Sequence, residues 1–446
     1  MSVLQESLRM IEKYPLCDNC LGRQFALLGH GVENGERGKS IKLALTLEAH
    51  RTSLSSKEAV KILKTLATNG FSRTAQEILQ KMKKRVPSKS FPKKCYLCED
   101  RFEEIERMAK KALTMLKPYE YSNFLVGIEL PIDAAEREDE FKAEFTVEHG
   151  ESMRNEFGRL IGKRLAQENG KTVEFMKPEV VVLVNPYSEA VKLQVNPLFV
   201  AGRYRKLVRD IPQSKWFCSD CRGRGCEKCN WTGKMYPQSV EEIIGKPFLD
   251  ATSGVTSSFH ASGREDIDAR MLGNGRPFVI EITRPKQRFL DLEKLEKAVN
   301  AHGKGKVQVS NLRLANKDVV RGLKRAESAQ KEYRMTVEFE NDVRVKDLDL
   351  LKEKLKNSMI AQKTPIRVLH RRADLTREKY IYDVNIKKLS PKKVEMKLRC
   401  QGGLYVKELV TGDEGRTTPS VSEILKNKGK PLKLDVLNVI MGDSGR

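Results

Sequence analysis

No stretch of the 446 residues approaches the roughly 18 consecutive apolar side chains that a membrane-spanning helix needs, so a folded, soluble chain is expected. The opening segment Met1–Tyr14 has neither the continuous apolar core nor the small-residue cleavage site of a secretory signal, which points to a cytoplasmic location. Internal repeats and low-complexity tails are missing as well. Acidic side chains are in deficit, with 60 Asp and Glu against 83 Lys and Arg and a formal net charge of +23. That surplus exceeds what an enzyme of small neutral metabolites requires and makes a polyanion, most simply nucleic acid, the expected partner.

A nucleotide-cofactor loop is also lacking. Gly38-Lys39-Ser40 ends as a P-loop does, but Glu33 stands where that loop needs its first glycine. Asn185-Pro186-Tyr187 lacks the second proline of the amino-methyltransferase signature, and no glycine-rich loop precedes it. Both read as ordinary loop residues, and no organic cofactor is expected.

What is present suffices for real cores. Hydrophobic residues make up 39% of the chain, and at roughly 100–200 residues per domain its length suggests two or three domains. Phe102, Ile105, Met108, Ala109, Ala112, Leu113 and Leu116 recur at helical spacing, as do Met153, Phe157, Leu160, Ile161 and Leu165 within Glu151–Glu168. Phe124–Leu130 and Val180–Val184 read as strands. Further on, the strand-like runs Phe278–Ile282 and Tyr333–Phe339 alternate with charged helical stretches such as Leu290–Val299, and Val436–Met441 reads as a last strand. Helices and strands thus mix in an α+β chain, with the main boundary near Ala201–Arg209 and domains over 1–200 and 201–446.

Eight of nine cysteines fall into Cys-x-x-Cys pairs: Cys17/Cys20, Cys95/Cys98, Cys218/Cys221 and Cys226/Cys229. In a reducing compartment such pairs read as metal ligation before disulfides. Two pairs supply the four-sulfur shell of a structural zinc, and the first two fit that demand if the chain between them folds back. The second two leave only Arg-Gly-Arg-Gly between them, so a tight zinc knuckle and a reduced, metal-free loop both remain open. With all four positions filled by cysteine, neither cluster leaves a place for a catalytic water.

The most unusual stretch is Phe259–Ile282, FHASGREDIDARMLGNGRPFVIEI, where a Gly263-Arg264-Glu265-Asp266 turn precedes Ile267-Asp268-Ala269-Arg270, a glycine-rich loop and a strand. Here the sequence resembles the pseudouridine synthases, whose Gly-Arg-x-Asp turn carries the aspartate required for chemistry. Within them it is most similar to the archaeal and eukaryotic family that acts on the T-loop of tRNA, and it shares further stretches with that family: NPLFVAGRYRKLVRDIPQSKW from Asn196, QKTPIRVLHRR from Gln362 and GGLYVKELVTGDEGRTTPSVSEIL from Gly402. The resemblance implies a zinc-bearing THUMP-like RNA-binding domain followed by a catalytic domain with a mixed, largely antiparallel sheet.

It also implies roles. Asp266 is expected as nucleophile or initiating base, Lys407 as its counter-ion in Gly403-Leu404-Tyr405-Val406-Lys407, and Tyr333, at the family's Lys-x-Tyr position in Gln330-Lys331-Glu332-Tyr333-Arg334, as the ring platform that helps the C5 proton leave. The predicted reaction converts uridine to pseudouridine at T-loop positions 54 and 55 of tRNA, an isomerisation in which the base detaches through N1 and reattaches through C5. His260 and Arg264 flank the nucleophile as candidates for steering the extruded nucleotide. Arg203, Arg205, Lys206 and Arg209, with Tyr204 among them, are expected as a phosphate-binding strip with an aromatic platform, and Arg367, Arg371 and Arg372 as a second strip. A monomer is expected. The competing readings are a THUMP-containing methyltransferase or thiolation enzyme, and a non-catalytic zinc-containing tRNA-binding or chaperone protein.

Overall fold

The computed structural model describes residues 1–84, 94–325 and 329–440, which fall into two compact units, Met1–Asn196 and Pro197–Arg446. The strand Leu198–Lys206, which the expected boundary at 200/201 would cut, belongs wholly to the second unit, because both its edges pair with strands further along the chain.

In the first unit the amphipathic start forms a helix over Val3–Lys13, closed at its N-terminus by a capping box between Ser2 and Gln5. Helices Asn34–Thr52, Lys57–Thr68 and Arg73–Lys81 follow. Gly38–Ser40 lie inside the helix Asn34–Thr52, where the backbone N–H groups bond to the preceding turn and cannot cradle a phosphate. A four-stranded sheet runs in the order Thr172–Val173, Asn123–Ile128, Val180–Asn185, Ala190–Val195, its last pairing antiparallel. Val180, Val182 and Val184 alternate into the core. The helix Ile105–Leu116 follows a short 3-10 turn over Arg101–Glu104, so Phe102 precedes it, and stacks 4.0 Å from Phe157 of the helix Met153–Asn169.

In the second unit one ten-stranded sheet provides the frame. Its order is Thr417–Thr418, Ser358–Lys363, Thr376–Ser390, Lys393–Gln401, Gln330–Phe339, Gly429–Ile440, Arg270–Thr283, Leu198–Lys206 and Val307–Ala315, with Thr256–Ala261 added on Arg270–Thr283. Within this sheet, among the described residues, only Gly429–Ile440 and Arg270–Thr283 pair in parallel. The last strand reaches Ile440, and Met441 lies outside the described residues. Helices Val240–Thr252 and Leu292–Gly303 cover one half of this sheet, and Val345–Leu355 covers the other. The two larger apolar clusters of this unit result, and Tyr333 packs against both.

The glycine-rich segment ahead of Phe278 is no loop. It is the first part of a strand that runs unbroken over Arg270–Thr283. Gly273 has φ +55, and a Cβ there would sit 2.0 Å from the Leu437 carbonyl oxygen, so the glycine lets the neighbouring strand approach.

Candidate active site

The turn Gly263–Asp266 follows directly on the strand Thr256–Ala261, and buried groups fix its shape. Gly263 has φ +76, a conformation that disfavours side chains. Behind it the Glu265 carboxylate is fully buried, where it accepts hydrogen bonds from Tyr204 Oη at 2.9 Å and Arg276 Nε at 3.0 Å. Arg276 also donates to the Ser262 carbonyl at 2.7 Å, and Gln213 bridges Tyr204 Oη at 2.7 Å and the Gly263 carbonyl at 3.0 Å. Past the turn, Lys206 Nζ donates to the carbonyls of Ile211, Asp266 and Ile267 at 2.8, 3.1 and 3.0 Å. Burial lowers the Lys206 pKa against the opposing pull of Glu265, Asp268 and Asp266. With its backbone clamped, the turn leaves the Asp266 carboxylate half-exposed.

That carboxylate faces a cavity of about 530 Å³, of the size that encloses small ligands. Asp266 Oδ2 lies 3.2 Å from Lys407 Nζ and 3.6 Å from Arg367 Nη2. Lys407 sits in the first turn of the short helix Val406–Thr411 and also holds both oxygens of Asp268 at 2.8 Å. Burial pushes the Asp268 pKa up, but the Lys407 bond and charge, with a backbone bond and Arg209, together outweigh it and the net shift is downward. Arg367 Nε is anchored by Glu408 at 2.5 Å and its guanidinium lies 5.9 Å from the Tyr405 ring centre, so Asp266 is flanked by two cations that are themselves held in place. Tyr333 lines the same cavity, with no hydrogen bond from its hydroxyl among the described residues. Burial raises its pKa, helped by Cys400 and Asp266 and opposed by Arg276, so the phenol is neutral near pH 7. A neutral phenol can donate a hydrogen bond into the cavity, whereas proton acceptance would need the phenolate.

A family model described as Pus10, C-terminal, matches residues 199–440, and a second, described as the archaeal Pus10 THUMP domain, matches residues 108–185. This chain belongs to the Pus10 family. Among its curated relatives, the tRNA pseudouridine synthase Pus10 of Methanocaldococcus jannaschii is 45% identical over 440 residues, covering 96% of this chain and 93% of its own. The protein of the same name from Methanothrix thermoacetophila is 39% identical over 445 residues, covering 98% and 94%. A solved Cbf5-Nop10-Gar1 complex aligns with 54% of this chain and 50% of its own at 13% identity and a TM-score of 0.31, too distant to carry residue roles across. The fold is accordingly the expected α+β one, a THUMP domain and a pseudouridine-synthase domain.

In this Pus10 chain Asp266, Tyr333, Lys407, His260, Arg264 and Arg372 all line one cavity. His260 Nε2 is 2.9 Å from Glu281 Oε2, Arg264 is exposed, and Arg372 donates to Tyr405 Oη at 3.2 Å. The Arg371 side chain lies outside the described residues. The expected strip at 203–206 does not form as such. Leu198–Lys206 is a strand, so neighbours point to opposite faces: Tyr204 and Lys206 are buried beneath the turn, and only Arg203 and Arg205 face outward. Arg203 is itself tied to the carbonyls of Asn274 and Gly275 at 2.6 and 2.8 Å, and Arg205 donates to Gln308 at 2.7 Å. Tyr204 is thus no stacking platform, and Lys206 is a clamp on the backbone that carries Asp266. Sequence reasoning missed the buried pair of Glu265 and Arg276, named Lys331 only as part of the Lys-x-Tyr motif around Tyr333, and saw Arg367 only as one charge in a run.

Each cysteine quartet brings its four sulfurs within 4.8 Å of one another. Four thiolates bound to one zinc at about 2.3 Å would lie about 3.8 Å apart. Cys17 and Cys98 are 3.6 Å apart, Cys218–Cys226 and Cys221–Cys229 are each 3.8 Å apart, and Cys226–Cys229 are 3.7 Å apart, so both sets have the dimensions of that shell. Backbone N–H groups point at the sulfurs as well, from Cys17 to Cys95 and from Gly225 and Gly233 to Cys221 and Cys229.

Proposed function

We propose that this Pus10-family chain isomerises uridine to pseudouridine at T-loop positions 54 and 55 of tRNA, with Asp266 as the nucleophile. Its relatives are named for tRNA pseudouridine synthesis, and the observation that carries the residue assignment is Asp266 itself, a carboxylate offered to a nucleoside-sized cavity between Lys407 and Arg367. The two cations are counter-ions for a negative charge that has to persist where bound nucleotide excludes water. The carboxylate either attacks C1′ as the N1–C1′ bond breaks or takes the C2′ proton to give a glycal; both routes release the base as an anion. The base turns, C5 bonds to C1′, the C5 proton leaves and N1 gains one, and on the glycal route C2′ regains its proton from the Asp266 carboxyl, so substrate and product are isomers. On the nucleophilic route the Asp266 carboxylate freed from C1′ is the base at hand for the C5 proton, while neutral Tyr333 holds the ring and donates a hydrogen bond.

The THUMP domain and the basic surplus supply tRNA contacts, with Arg264 and Arg372 at the cavity rim placed to receive the extruded nucleotide's phosphates. Each cysteine quartet holds one structural zinc that contributes to folding and takes no part in the reaction. The protein acts in the cytoplasm as a monomer; no described helix is long and apolar enough to cross a membrane.

The test is incubation of purified protein with unmodified tRNA transcript and no added cofactor, followed by carbodiimide treatment and primer-extension mapping. Stops at positions 54 and 55 are expected, and transcripts carrying cytidine at one position separate the two. Tight tRNA binding without stops would instead favour the non-catalytic binding protein.

A further inference from the structure

Among the described residues most cations that line the cavity have partners, and the two that do not are Arg264, exposed at the rim, and a lysine that lies deeper. Arg276 is paired with Glu265, Lys407 with Asp266 and Asp268, Arg367 with Glu408 and Asp266, and Arg372 with the Tyr405 hydroxyl. Lys331 lines the same cavity, and among the described residues its side chain makes no hydrogen bond and no ion pair. It sits on the strand Gln330–Phe339 two residues before Tyr333, which puts both side chains on one face. Its ammonium lies under the Gly263 turn, 3.2 Å from where a Cβ on Gly263 would stand, so that glycine leaves room for the lysine as well as for the backbone twist. A half-buried cation without a counter-ion costs stability, and a site that keeps one needs an anionic partner from outside.

The reaction supplies such a partner only after the substrate has begun to react. When N1–C1′ breaks, its electron pair leaves on the base and spreads over N1, O2 and O4, so the detached uracil is an anion until C5 rebonds. We infer that Lys331 is a further catalytic residue, whose ammonium donates to a uracil carbonyl oxygen and stabilises the charge that the base acquires as the glycosidic bond breaks. This rests on reading the Asp266 cavity as the site of pseudouridine formation. It divides the work on one cavity: Asp266 with its two counter-ions acts on the sugar carbon, and Lys331 with Tyr333 holds the base. A preset donor aimed at developing charge acts on the transition state more than on the bound substrate.

The surroundings of Lys331 predict a signature. Burial, with Arg276 and Lys379 each two strands away on either side, lowers its pKa to about 8 against the opposing pull of Cys400 and Glu265. The active form is the charged one, so kcat/KM, which reports the free enzyme, falls as pH rises through about 8.

The experiment compares wild type, Lys331→Met, Lys331→Arg and Asp266→Ala on unmodified tRNA transcript, with thermal melts to establish folding, tRNA affinity by filter binding, and kcat/KM against pH. Lys331→Met is expected to bind tRNA as wild type does, to lose about 100-fold or more in kcat/KM near neutral pH, and to lack the alkaline fall. Lys331→Arg is expected to recover part of the rate and to hold it above pH 8. The inference is overturned if Lys331→Met keeps the wild-type rate, if it only weakens binding as loss of a phosphate contact would, or if Lys331→Arg is no faster than Lys331→Met. Full activity in Asp266→Ala would sink the underlying reading of the site; an inactive Asp266→Ala beside a fully active Lys331→Met would sink the lysine's role alone.

Discussion

Glu265 and Asp266 are adjacent carboxylates in one turn, yet they live in opposite surroundings. Glu265 is sealed behind the turn with Arg276, Tyr204 and Gln213 around it, whereas Asp266 is half-exposed in the cavity between Lys407 and Arg367. The difference teaches how the chain keeps one carboxylate open to a ligand while burying the next. The buried neighbour is wholly satisfied by hydrogen bonds and holds the backbone rigid, which leaves the exposed one turned into the cavity. The same division recurs in the cysteine clusters. Cys20, Cys95 and Cys98 sit in the first unit's main core and draw together pairs 78 residues apart, while Cys218–Cys229 close one short loop beside the exposed Phe217 and Trp231.

The sharpest way to break the comparison is to neutralise the two carboxylates one at a time. Asp266→Asn should cost on the order of 10⁴-fold or more in single-turnover rate, as loss of a nucleophile does, with tRNA affinity and melting temperature near wild type. Glu265→Gln should do the reverse first. It strips the counter-ion from a buried guanidinium, so a loss of about 3–5 kcal/mol in chemical denaturation is expected, with activity falling only as the turn loosens. Equal loss of stability in both variants would erase the distinction between them.

The cysteine clusters extend the same contrast. Cys95→Ser should release zinc and lower the melting transition of the first unit, while Cys221→Ser should release zinc with a smaller thermal effect confined to its loop. Zinc content by elemental analysis and differential scanning calorimetry read both. The smallest effect concerns a third carboxylate, Asp435, which is buried among Arg209, Arg270 and Arg334 at 2.6–3.0 Å. Burial alone would raise its pKa, but the bonds to Arg270 and Arg334 and the nearby Arg209 bring it from 3.8 down to about 2. A depressed carboxyl stabilises the fold above its unfolded pKa, so this contribution is complete above about pH 4 and is lost as pH falls through about 2. Urea denaturation across that window should show a shallower loss in Asp435→Asn than in wild type, from a lower starting stability.

Much of this was legible from residues. Asp266, Lys407 and Tyr333 stood in short motifs whose turn and strand contexts the structure reproduces, and the cysteine spacing foretold two sulfur quartets. Other parts were not, for physical reasons. The run Arg203–Lys206 was read by charge, although the strand that contains it alternates; period two would have turned Tyr204 inward. Nothing would have turned in Lys206, because a buried lysine is tolerated only where carbonyls converge, and those of Ile211, Asp266 and Ile267 are brought together by the fold. The buried pair of Glu265 and Arg276 was hidden for the same reason. The glycines at 273 and 275 suggested a loop, but close packing of two strands asks for the same residue.

The most direct test of the central claim is single-turnover pseudouridine formation by Asp266→Ala beside wild type on unmodified tRNA transcript, with both proteins shown to melt alike and to bind tRNA alike. The account predicts T-loop pseudouridine from wild type and none from the variant. Modification at an undiminished rate by Asp266→Ala would contradict it.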